Sequence, residues 1–440
     1  MEKPTTLSIQ LLGGFTLTEN GQPVRSFPSR AADAILAYAA CHKTPIAREQ
    51  LIDLIWTNSE PKQAAANLRG TLSTLRKSAE NFVTITRQYV AIQHPPVTVD
   101  VLQFDAALKD LTTLTADQLE KALTFYHGDF LAQFHLRSGA KFEDWILLMR
   151  GQLQQQALAA LSRLVQLRLD AGEYAQGLPY AVQWLQLDPY NELAHRQMMW
   201  LLLRTGQRNA ALRQYAKCRA VLDAEIGVEP EKATASLFYL IRNLSFPPPQ
   251  QLPMDRSAMI GRKTEINHLA TVIAAKKDHL ITLLGPGGDG KTRLAVAVGQ
   301  HLAQQKVGLF LHGTFFVPLA TITSAAEAAQ TIADTLNLQL RGDNPTQQLC
   351  KAVADKELLL ILDNFEQLVG SEAALALVSD LLAAAPQLSV LITSRERLDL
   401  AQEFIFDVTG LTLPQNDAAA NPLAFDAVKL FMQRAQQIRH

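Results

Sequence analysis

The sequence predicts a multidomain fold: an α+β winged helix-turn-helix, then an all-α helical domain, then an α/β P-loop NTPase with a parallel sheet. Three observations support this prediction. Short strand patterns enclose three helical segments in residues 1–96. Residues 97–245 are helical by pattern and repeat at an offset of 34, which is typical of a tetratricopeptide-like (TPR-like) domain. A phosphate-binding motif begins at Gly285.

The N-terminal domain alternates between strand and helix signals. Two short runs precede three amphipathic segments, and an alternating stretch with a polar turn follows them. This order is that of a winged helix-turn-helix. The predicted strands are Leu7–Leu12 and Phe15–Thr18, the helices are Ser29–Cys41, Ala47–Trp56 and Glu60–Ala79, and the hairpin is Phe82–Ile92.

The third of these helices carries the candidate DNA-binding residues. Ala65, Leu68, Leu72, Leu75 and Ala79 share one stripe, which predicts a core-facing side. The opposite side has small polar residues with basic residues on its flank, which suits insertion into a major groove. The same pattern is compatible with a solvated helix on a protein-binding module, because the domain is only modestly basic. The predicted DNA contacts are Arg69, Ser73, Thr74, Arg76 and Lys77 on the helix and Arg87 in the hairpin.

The helical region contains a short internal repeat. Gly172 aligns with Gly206, and Gly177 with Ala211, so that small residues recur where two helices would close on each other. Aromatic residues such as Trp145 are expected to pack between helices and not to bind a ligand. The three consecutive prolines after Phe246 cannot continue a helix, and residues 246–258 are therefore predicted to be an extended linker that lets the domains move.

A complete P-loop motif follows the linker. Residues 285–292 match G-x-x-x-x-G-K-[ST] at every fixed position, and the flanking runs have the patterns of a buried strand and a helix. Such a loop turns backbone N–H groups toward the phosphates of a nucleotide, while the lysine reaches the β- and γ-phosphates and the hydroxyl binds Mg²⁺. Asp289 is unexpected in an anion-binding loop, so we expect it to weaken affinity or to face solvent. The predicted nucleotide contacts are Gly285, Gly287, Gly288, Gly290, Lys291, Thr292 and Arg293, with Thr292 as a Mg²⁺ ligand.

Two further strand patterns supply the predicted catalytic residues. An apolar run ends in Asp363, as in a central parallel strand whose carboxyl end faces a ligand, and Asp363 is predicted to complete the Mg²⁺ shell. Asn364 stands where many ATPases carry a second acid. Glu366 is therefore the candidate that orients or deprotonates the attacking water. Arg395 follows a third apolar run and is placed to sense the γ-phosphate.

Several stretches of this half resemble STAND-class NTPases, the group that includes NB-ARC switches and large AfsR-like regulators. These are residues 259–265, the Leu-Asp-Asn-Phe-Glu stretch at 362–366 and the Thr-Ser-Arg-Glu-Arg-Leu stretch at 393–398. The resemblance implies that Gly261 and Arg262 lie near adenine and ribose. It also implies a helical lid after the NTPase domain. We therefore expect the NTPase domain at 259–412 and the start of a truncated lid at 413–440, because the sequence stops at His440.

The N-terminal half resembles the SARP and AfsR-like transcriptional activators. Residues 66–77 are similar to the recognition helix of their OmpR-type domains, although Gly70 and Thr74 depart from that pattern. Residues 125–131 and 142–145 resemble the bacterial transcriptional activator domain that follows the winged helix in SARPs. The resemblance implies double-stranded promoter DNA and RNA polymerase holoenzyme as partners, self-association on DNA, and ATP or ADP with Mg²⁺ as cofactors.

Composition sets the remaining limits. The chain has 440 residues, 48% hydrophobic content and a net charge of −1, with no signal peptide and no apolar run near 18 residues. These properties predict a cytoplasmic protein with no membrane partner. The three cysteines, Cys41, Cys218 and Cys350, are far apart and predict reduced thiols.

The combined prediction is a nucleotide-regulated transcriptional activator with a slow regulatory ATPase. One alternative is a STAND signalling scaffold whose N-terminal half binds protein and whose nucleotide state controls oligomerisation. Another is an ATPase whose DNA contacts are incidental. A DNA-binding protein loses affinity steeply with salt, which separates the first reading from the scaffold.

Overall fold

The computed structural model describes residues 6–24, 27, 29–94, 96–137, 139–254, 259–306, 308–340, 344–413, 423 and 425–438. The chain forms two compact units, Met1–Gln197 and Met198–His440, and each is described by itself. The boundary between them falls inside helix α8 (Glu192–Arg204). The helical region that the sequence predicts as one domain is therefore shared between the two units.

The first unit begins with the winged helix-turn-helix, and its helices and hairpin lie where the sequence predicts them. A strand beyond the predicted boundary, β7, pairs in parallel with β1 and places Leu7 beside Val97. The domain's first sheet, with strand order β3-β2-β1-β7, thus needs residues up to Val99. The elements are β1 Leu7–Gln10, β2 Thr16–Glu19, β3 Gln22–Val24, α1 Arg30–Ala40, β4 Ile46–Ala47, α2 Arg48–Ile55, α3 Pro61–Ser78, β5 Val83–Ile85, β6 Tyr89–Ile92 and β7 Val97–Val99.

Asp100 joins the winged helix to the helices that follow. Its buried carboxylate accepts hydrogen bonds from the backbone N–H groups of Leu11 and Leu12, with Oδ2 at 2.8 Å from each nitrogen. Burial raises the pKa of Asp100, although these N–H groups favour its charged form. Trp145 packs against Tyr38 of α1 with ring centroids 4.8 Å apart, so this tryptophan has the packing role that the sequence predicts.

The helical region is built from hairpins, as its internal repeat predicts. Gly172 and Gly206 both have positive φ angles, 73° and 80°, and each stands just before the second helix of a hairpin. Gly177 and Ala211 are buried at equivalent positions in those second helices. The helices are α4 Asp100–Ala107, α5 Ala116–Leu123, α6 Ala140–Asp170 and α7 Tyr174–Leu187, then α8 Glu192–Arg204, α9 Arg208–Ile226 and α10 Lys232–Asn243.

The second unit contains a six-stranded parallel sheet with strand order β13-β9-β12-β11-β10-β8. All six residues of β11 and of β12 are buried, as expected for central parallel strands covered on both faces. The elements are β8 Gln250–Gln251, α11 Lys263–Ala274, β9 Leu280–Leu284, α12 Lys291–Gln305, β10 Gly313–Pro318, α13 Ala325–Thr335, α14 Pro345–Val353, β11 Leu358–Asp363, α15 Glu372–Ala384, β12 Ser389–Ser394, β13 Glu403–Asp407 and α16 Asp426–Ile438.

Alternate residues of the central strands enter two different cores. Leu360 and Ile392 pack with α13, α14 and α15 on one face of the sheet. Leu359 and Leu391 pack with α11 and α12 on the other face. The result is a three-layer α/β/α arrangement, which confirms the predicted fold class for this part of the chain.

The proline-rich stretch differs from the free linker that the sequence predicts. Gln250 and Gln251 form β8, which pairs in parallel with Thr314 and Phe315 at the edge of the sheet. Residues 246–254 contain no helix, as the prolines require, but Gln250 and Gln251 pair with the N–H and C=O groups of what would otherwise be an edge strand. Residues 255–258 of the predicted linker lie outside the described residues.

No helix in the described parts of the chain is long and apolar enough to cross a membrane.

Candidate functional site

The P-loop connects β9 to α12, as its motif predicts. Gly288 and Gly290 have φ angles of 94° and 79°, which residues with a side chain rarely adopt. Lys291 is only 8% exposed, and its Nζ donates to the carbonyl oxygens of Gly285 and Pro286 at 2.7 and 2.8 Å. The ammonium group therefore lies across the loop that would surround the phosphates.

The strand order brings the predicted Mg²⁺ ligands together. Strand β12 lies between β9 and β11, so Asp363 at the end of β11 faces the start of α12 across one intervening strand. Oδ1 of Asp363 accepts hydrogen bonds from the hydroxyls of Thr292 and Thr393, both at 2.6 Å. A carboxylate and a hydroxyl oxygen at the N-terminus of a P-loop helix form a donor set that fits Mg²⁺. Thr292 and Asp363 would hold the ion.

Glu366 and Arg395 also meet at this edge of the sheet. Asn364 follows β11 with a left-handed φ of 61° and turns the chain into a short 3-10 helix that carries Glu366. Oε1 of Glu366 lies 3.1 Å from Nε of Arg395 and accepts from Nδ2 of Asn364 at 3.3 Å. Within the described residues, the buried Oε2 of Glu366 has no hydrogen-bond partner. This leaves one carboxylate oxygen available for a water molecule.

Arg395 also reaches toward the P-loop. A Cβ atom added to Gly287 would lie 3.3 Å from Nη2 and from Cζ of Arg395. The guanidinium therefore lies between Glu366 on one side and the glycine loop on the other.

A cavity lies beside the P-loop, with a volume of about 340 Å³. Arg262 is 3% exposed, and its Nη2 donates to the carbonyl oxygens of Asp289 and Thr409 at 2.7 and 2.8 Å. Its Nη1 pairs with Glu265 at 2.7 Å. Arg262 thus anchors the segment that precedes α11 to the P-loop. Residues lining this cavity include Met259, Ile260, Arg262, Gly288, Gly290, Arg293, Leu411 and Leu430.

Gly261 stands at a point where only glycine fits. Its φ is 76°, and a Cβ atom there would lie 2.6 Å from Oδ2 of Asp426 on α16. The first helix of the predicted lid thus contacts the Gly-Arg dipeptide directly, and its Ala427 and Leu430 line the cavity. Asp289 lines the same cavity and is half buried, so it does not simply face solvent.

The predicted DNA-binding face of α3 is largely exposed. Arg69, Ser73, Arg76, Lys77 and Arg87 are exposed, whereas Thr74 is half buried and donates to the carbonyl oxygen of Gly70 at 3.3 Å. The buried side of α3 agrees closely with the predicted core-facing stripe. However, Ala64 and Thr71 are buried with Leu68, Leu72 and Leu75, while Ala65 is only half buried.

The hairpin lies beside this face. Nη2 of Arg76 donates to the carbonyl oxygen of Ile85 at 3.3 Å, so the helix end and the hairpin form one surface. Space around Gly70 is open, because a Cβ atom there would meet no other atom within 4 Å. The glycine is thus not required by packing within the protein.

Sequence reasoning missed three features of the site. Thr393 was visible as a polar residue at the end of an apolar run, but its bond to Asp363 depends on the strand order. Asp426 carried no signal of its contact with Gly261. The apolar lining around Leu411 could not be assigned, because it combines residues from opposite ends of the domain.

Among the described residues, no group of three or more His, Cys, Asp or Glu side chains could hold a metal ion.

Comparison with known proteins identifies two domains. The model of the bacterial transcriptional activator domain matches residues 100–242, and that of the NACHT domain matches residues 279–419. An uncharacterized protein of Mycobacterium tuberculosis is 32% identical over 184 residues, which cover 42% of each chain. The regulatory protein AfsR of Streptomyces griseus is 25% identical over 397 residues, which cover 82% of this chain and 39% of AfsR.

The solved structure of Mycobacterium tuberculosis EmbR in complex with a low affinity phosphopeptide covers 63% of this chain and 72% of its own, at 19% identity and a TM-score of 0.43. That score is too low to support an argument. The chain spans less than half the length of the two sequence relatives. The family model that matches the NTPase domain is that of NACHT, whereas the sequence analysis found a resemblance of this domain to a group that includes NB-ARC switches. Both are STAND-class. The chain thus contains a bacterial transcriptional activator domain followed by a NACHT domain, and over most of its length it is similar to the regulatory protein AfsR.

Proposed function

We propose that this protein is a nucleotide-regulated transcriptional activator. It binds promoter DNA through the winged helix, contacts RNA polymerase through the helical region and uses the NACHT domain as an ATP/ADP switch. The observation that carries the proposal is the meeting of Thr292 and Asp363 beside Lys291, in the same chain as a winged helix with an exposed basic face.

In the proposed nucleotide complex, each side chain has a separate task. Lys291 exchanges its bonds to the loop carbonyls for the β- and γ-phosphates, and the cavity beside Arg262 receives adenine and ribose. Mg²⁺, when bound, supplies positive charge to the β- and γ-phosphates. Glu366 accepts a proton from the attacking water, while Arg395 stabilises the charge of the terminal phosphate.

Isothermal titration calorimetry with ATP and Mg²⁺ tests the nucleotide site. Lys291→Ala should weaken ATP binding by at least about 100-fold, because it removes two charge-assisted hydrogen bonds of about 1.5–3 kcal/mol each. Lys306→Ala is the matched control, since Lys306 is exposed at the other end of α12. Equal ATP affinity in Lys291→Ala and in the parent would reject the site. Asp363→Ala should mainly abolish the Mg²⁺ dependence.

Promoter binding is proposed for the face formed by α3 and the hairpin. Arg69, Arg76, Lys77 and Arg87 would contact phosphates, whereas Ser73 and Thr74 would face base edges. The short side chains and the open space at Gly70 favour a close approach of the helix to the groove floor. DNA upstream of the protein's own gene is the first sequence to test, by footprinting.

Fluorescence anisotropy with a promoter fragment, measured across a salt series, tests this face. Arg76→Ala and Arg87→Ala should weaken binding to all sequences about equally and lower the salt slope by about one unit each. Ser73→Ala should change sequence preference instead. Lys121→Ala, an exposed change on α5, should leave the slope unchanged. If the arginine variants behave like the control, the scaffold alternative gains support.

Polymerase contact and self-association on DNA are proposed for the helical region. Leu147 and Leu148 on α6 are 62% and 67% exposed, which is unusual for adjacent leucines on a helix. Leu148→Glu should reduce activated transcription in a reconstituted assay while DNA affinity stays constant. Loss of DNA affinity in this variant would contradict a separate contact surface.

A further inference from the structure

A cavity of about 480 Å³ lies in the second unit, away from the nucleotide site. Leu240 and Leu244, at the end of α10 and just after it, line one side, while Phe315 and Leu338 of the NACHT domain line the other. It shares no lining residue with the cavity beside the P-loop. Its volume lies in the range of small-molecule sites, about 300–1,000 Å³.

Polar side chains line the cavity as well, namely His312 and Lys356 together with Asn243, Ser245 and Asn337. Nδ1 of His312 accepts a hydrogen bond from the backbone N–H of Glu357 at 3.0 Å, so a neutral His312 carries its proton on Nε2. Burial lowers the pKa of His312, and the charge of Lys356 lowers it further. His312 is thus a neutral hydrogen-bond donor near pH 7.

Lys356 is the cationic side chain of this lining, and it is half buried. The neighbouring carboxylate of Glu357 is already taken by Arg204, which binds it with both nitrogens of its fork, and by Lys276 at 3.7 Å. No ion pair of Lys356 with a carboxylate is found among the residues that the structure describes. A half-buried ammonium group is stabilised when an anion binds next to it.

We propose that this cavity binds a small carboxylate with an apolar tail. The carboxylate pairs with Lys356 and accepts a hydrogen bond from His312 Nε2, while the tail lies between α10 and the sheet against Leu240, Phe315 and Leu338. A phosphate ester carries close to two negative charges and fits less well, because Lys356 is the one cation in the lining. A neutral lipid fits less well because it would leave that cation without a counter-ion.

Calorimetry on the full chain with saturating ATP tests the proposal, with decanoate as the probe. Decanoate should bind, octanoate should bind about fourfold more weakly for each methylene removed, and decanol at least about tenfold more weakly. Lys356→Met should lose at least about tenfold in decanoate affinity, and Lys356→Arg should retain most of it. Lys351→Met, an exposed lysine on α14, is the matched control.

Equal decanoate affinity in Lys356→Met and the parent would overturn the proposal, and so would equal binding of decanol and decanoate. An unchanged melting temperature of Lys356→Met excludes misfolding as the cause of a loss. Lys291→Ala should still bind decanoate. A failure of the nucleotide site and a failure of this cavity therefore give different results.

Discussion

The arrangement of Arg395 predicts how the proposed nucleotide switch would distinguish ATP from ADP. Nε of Arg395 lies 3.1 Å from Glu366, and its Nη2 points toward Gly287 in the P-loop. In the proposed nucleotide complex, this arrangement would put the guanidinium beside the terminal phosphate. Arg395→Gln should remove the contact to the γ-phosphate and leave the contacts to the β-phosphate in place.

The expected loss follows from the exposure of the side chain. A hydrogen bond to a charged group contributes about 1.5–3 kcal/mol. The side chain of Arg395 is 61% exposed, so the lower value applies because solvent screens the charge. The affinity ratio of ATP to ADP should therefore fall about tenfold. Glu366→Gln breaks a partly exposed ion pair worth about 0.2–1 kcal/mol, and should change ATP affinity by no more than about fivefold.

Calorimetry with a non-hydrolysable ATP analogue and with ADP, at fixed Mg²⁺ and salt, measures the two affinities and their ratio for each variant. Arg397→Gln is the control, since this neighbouring arginine is also exposed. In the Arg395→Gln background, Glu366→Gln should have no further effect on nucleotide binding, because the contribution of Glu366 to binding, as distinct from hydrolysis, acts through Arg395. If Arg395→Gln weakens ATP and ADP equally, the guanidinium does not contact the γ-phosphate and the reasoning is wrong.

Three further predictions concern charges elsewhere in the chain. Asp289→Ser should bind ATP at least as tightly as the parent in calorimetry, because it removes a carboxylate near the phosphates, and weaker binding would assign that carboxylate a constructive role. Burial raises the pKa of Asp33 to about 6 from its ordinary 3.8, so its contribution to stability is complete below pH 4 and is lost as pH rises through 6. Asp33→Asn should therefore stabilise α1 at pH 7.5 by up to about 3 kcal/mol and have little effect at pH 3.5, as measured by hydrogen exchange; an equal effect at both pH values would contradict the shift. Arg204→Ala should destabilise the second unit by about 3 kcal/mol in urea unfolding, because it removes the guanidinium that pairs with the buried carboxylate of Glu357. The side chains of Arg204 and Glu357 are only 12% and 14% exposed. Arg219→Ala, in an exposed pair, should cost less than about 1 kcal/mol, and similar losses in both variants would refute the distinction.

Much of the fold could be predicted from local patterns. The helices of the winged domain, the buried strand before Gly285 and the strand that ends in Asp363 all lie where periodicity places them, because side-chain spacing along one element decides which face is buried. The repeat at Gly172 and Gly206 was also visible, since each turn needs a residue that adopts a positive φ.

The predicted linker shows where local patterns stop. Prolines exclude a helix at residues 246–249, and that part of the prediction agrees with the structure. Whether the extended chain stays free or joins a sheet depends on an edge strand more than sixty residues later, at Thr314. No signal within the linker reports that partner.

The sequence by itself determined which residue types are available for chemistry: the glycine loop, Lys291, Thr292, Asp363 and Arg395 are all in the motifs that predict a nucleotide site. Only the tertiary structure decided which of their atoms meet. The hydrogen bonds from Thr292 and Thr393 to one oxygen of Asp363 depend on β12 lying between β9 and β11. The contact of Gly261 with Asp426 joins residues that are 165 positions apart. Spacing along the chain reports which face of an element is buried, but strand order and docking come from the burial of all these faces together, which no single segment specifies.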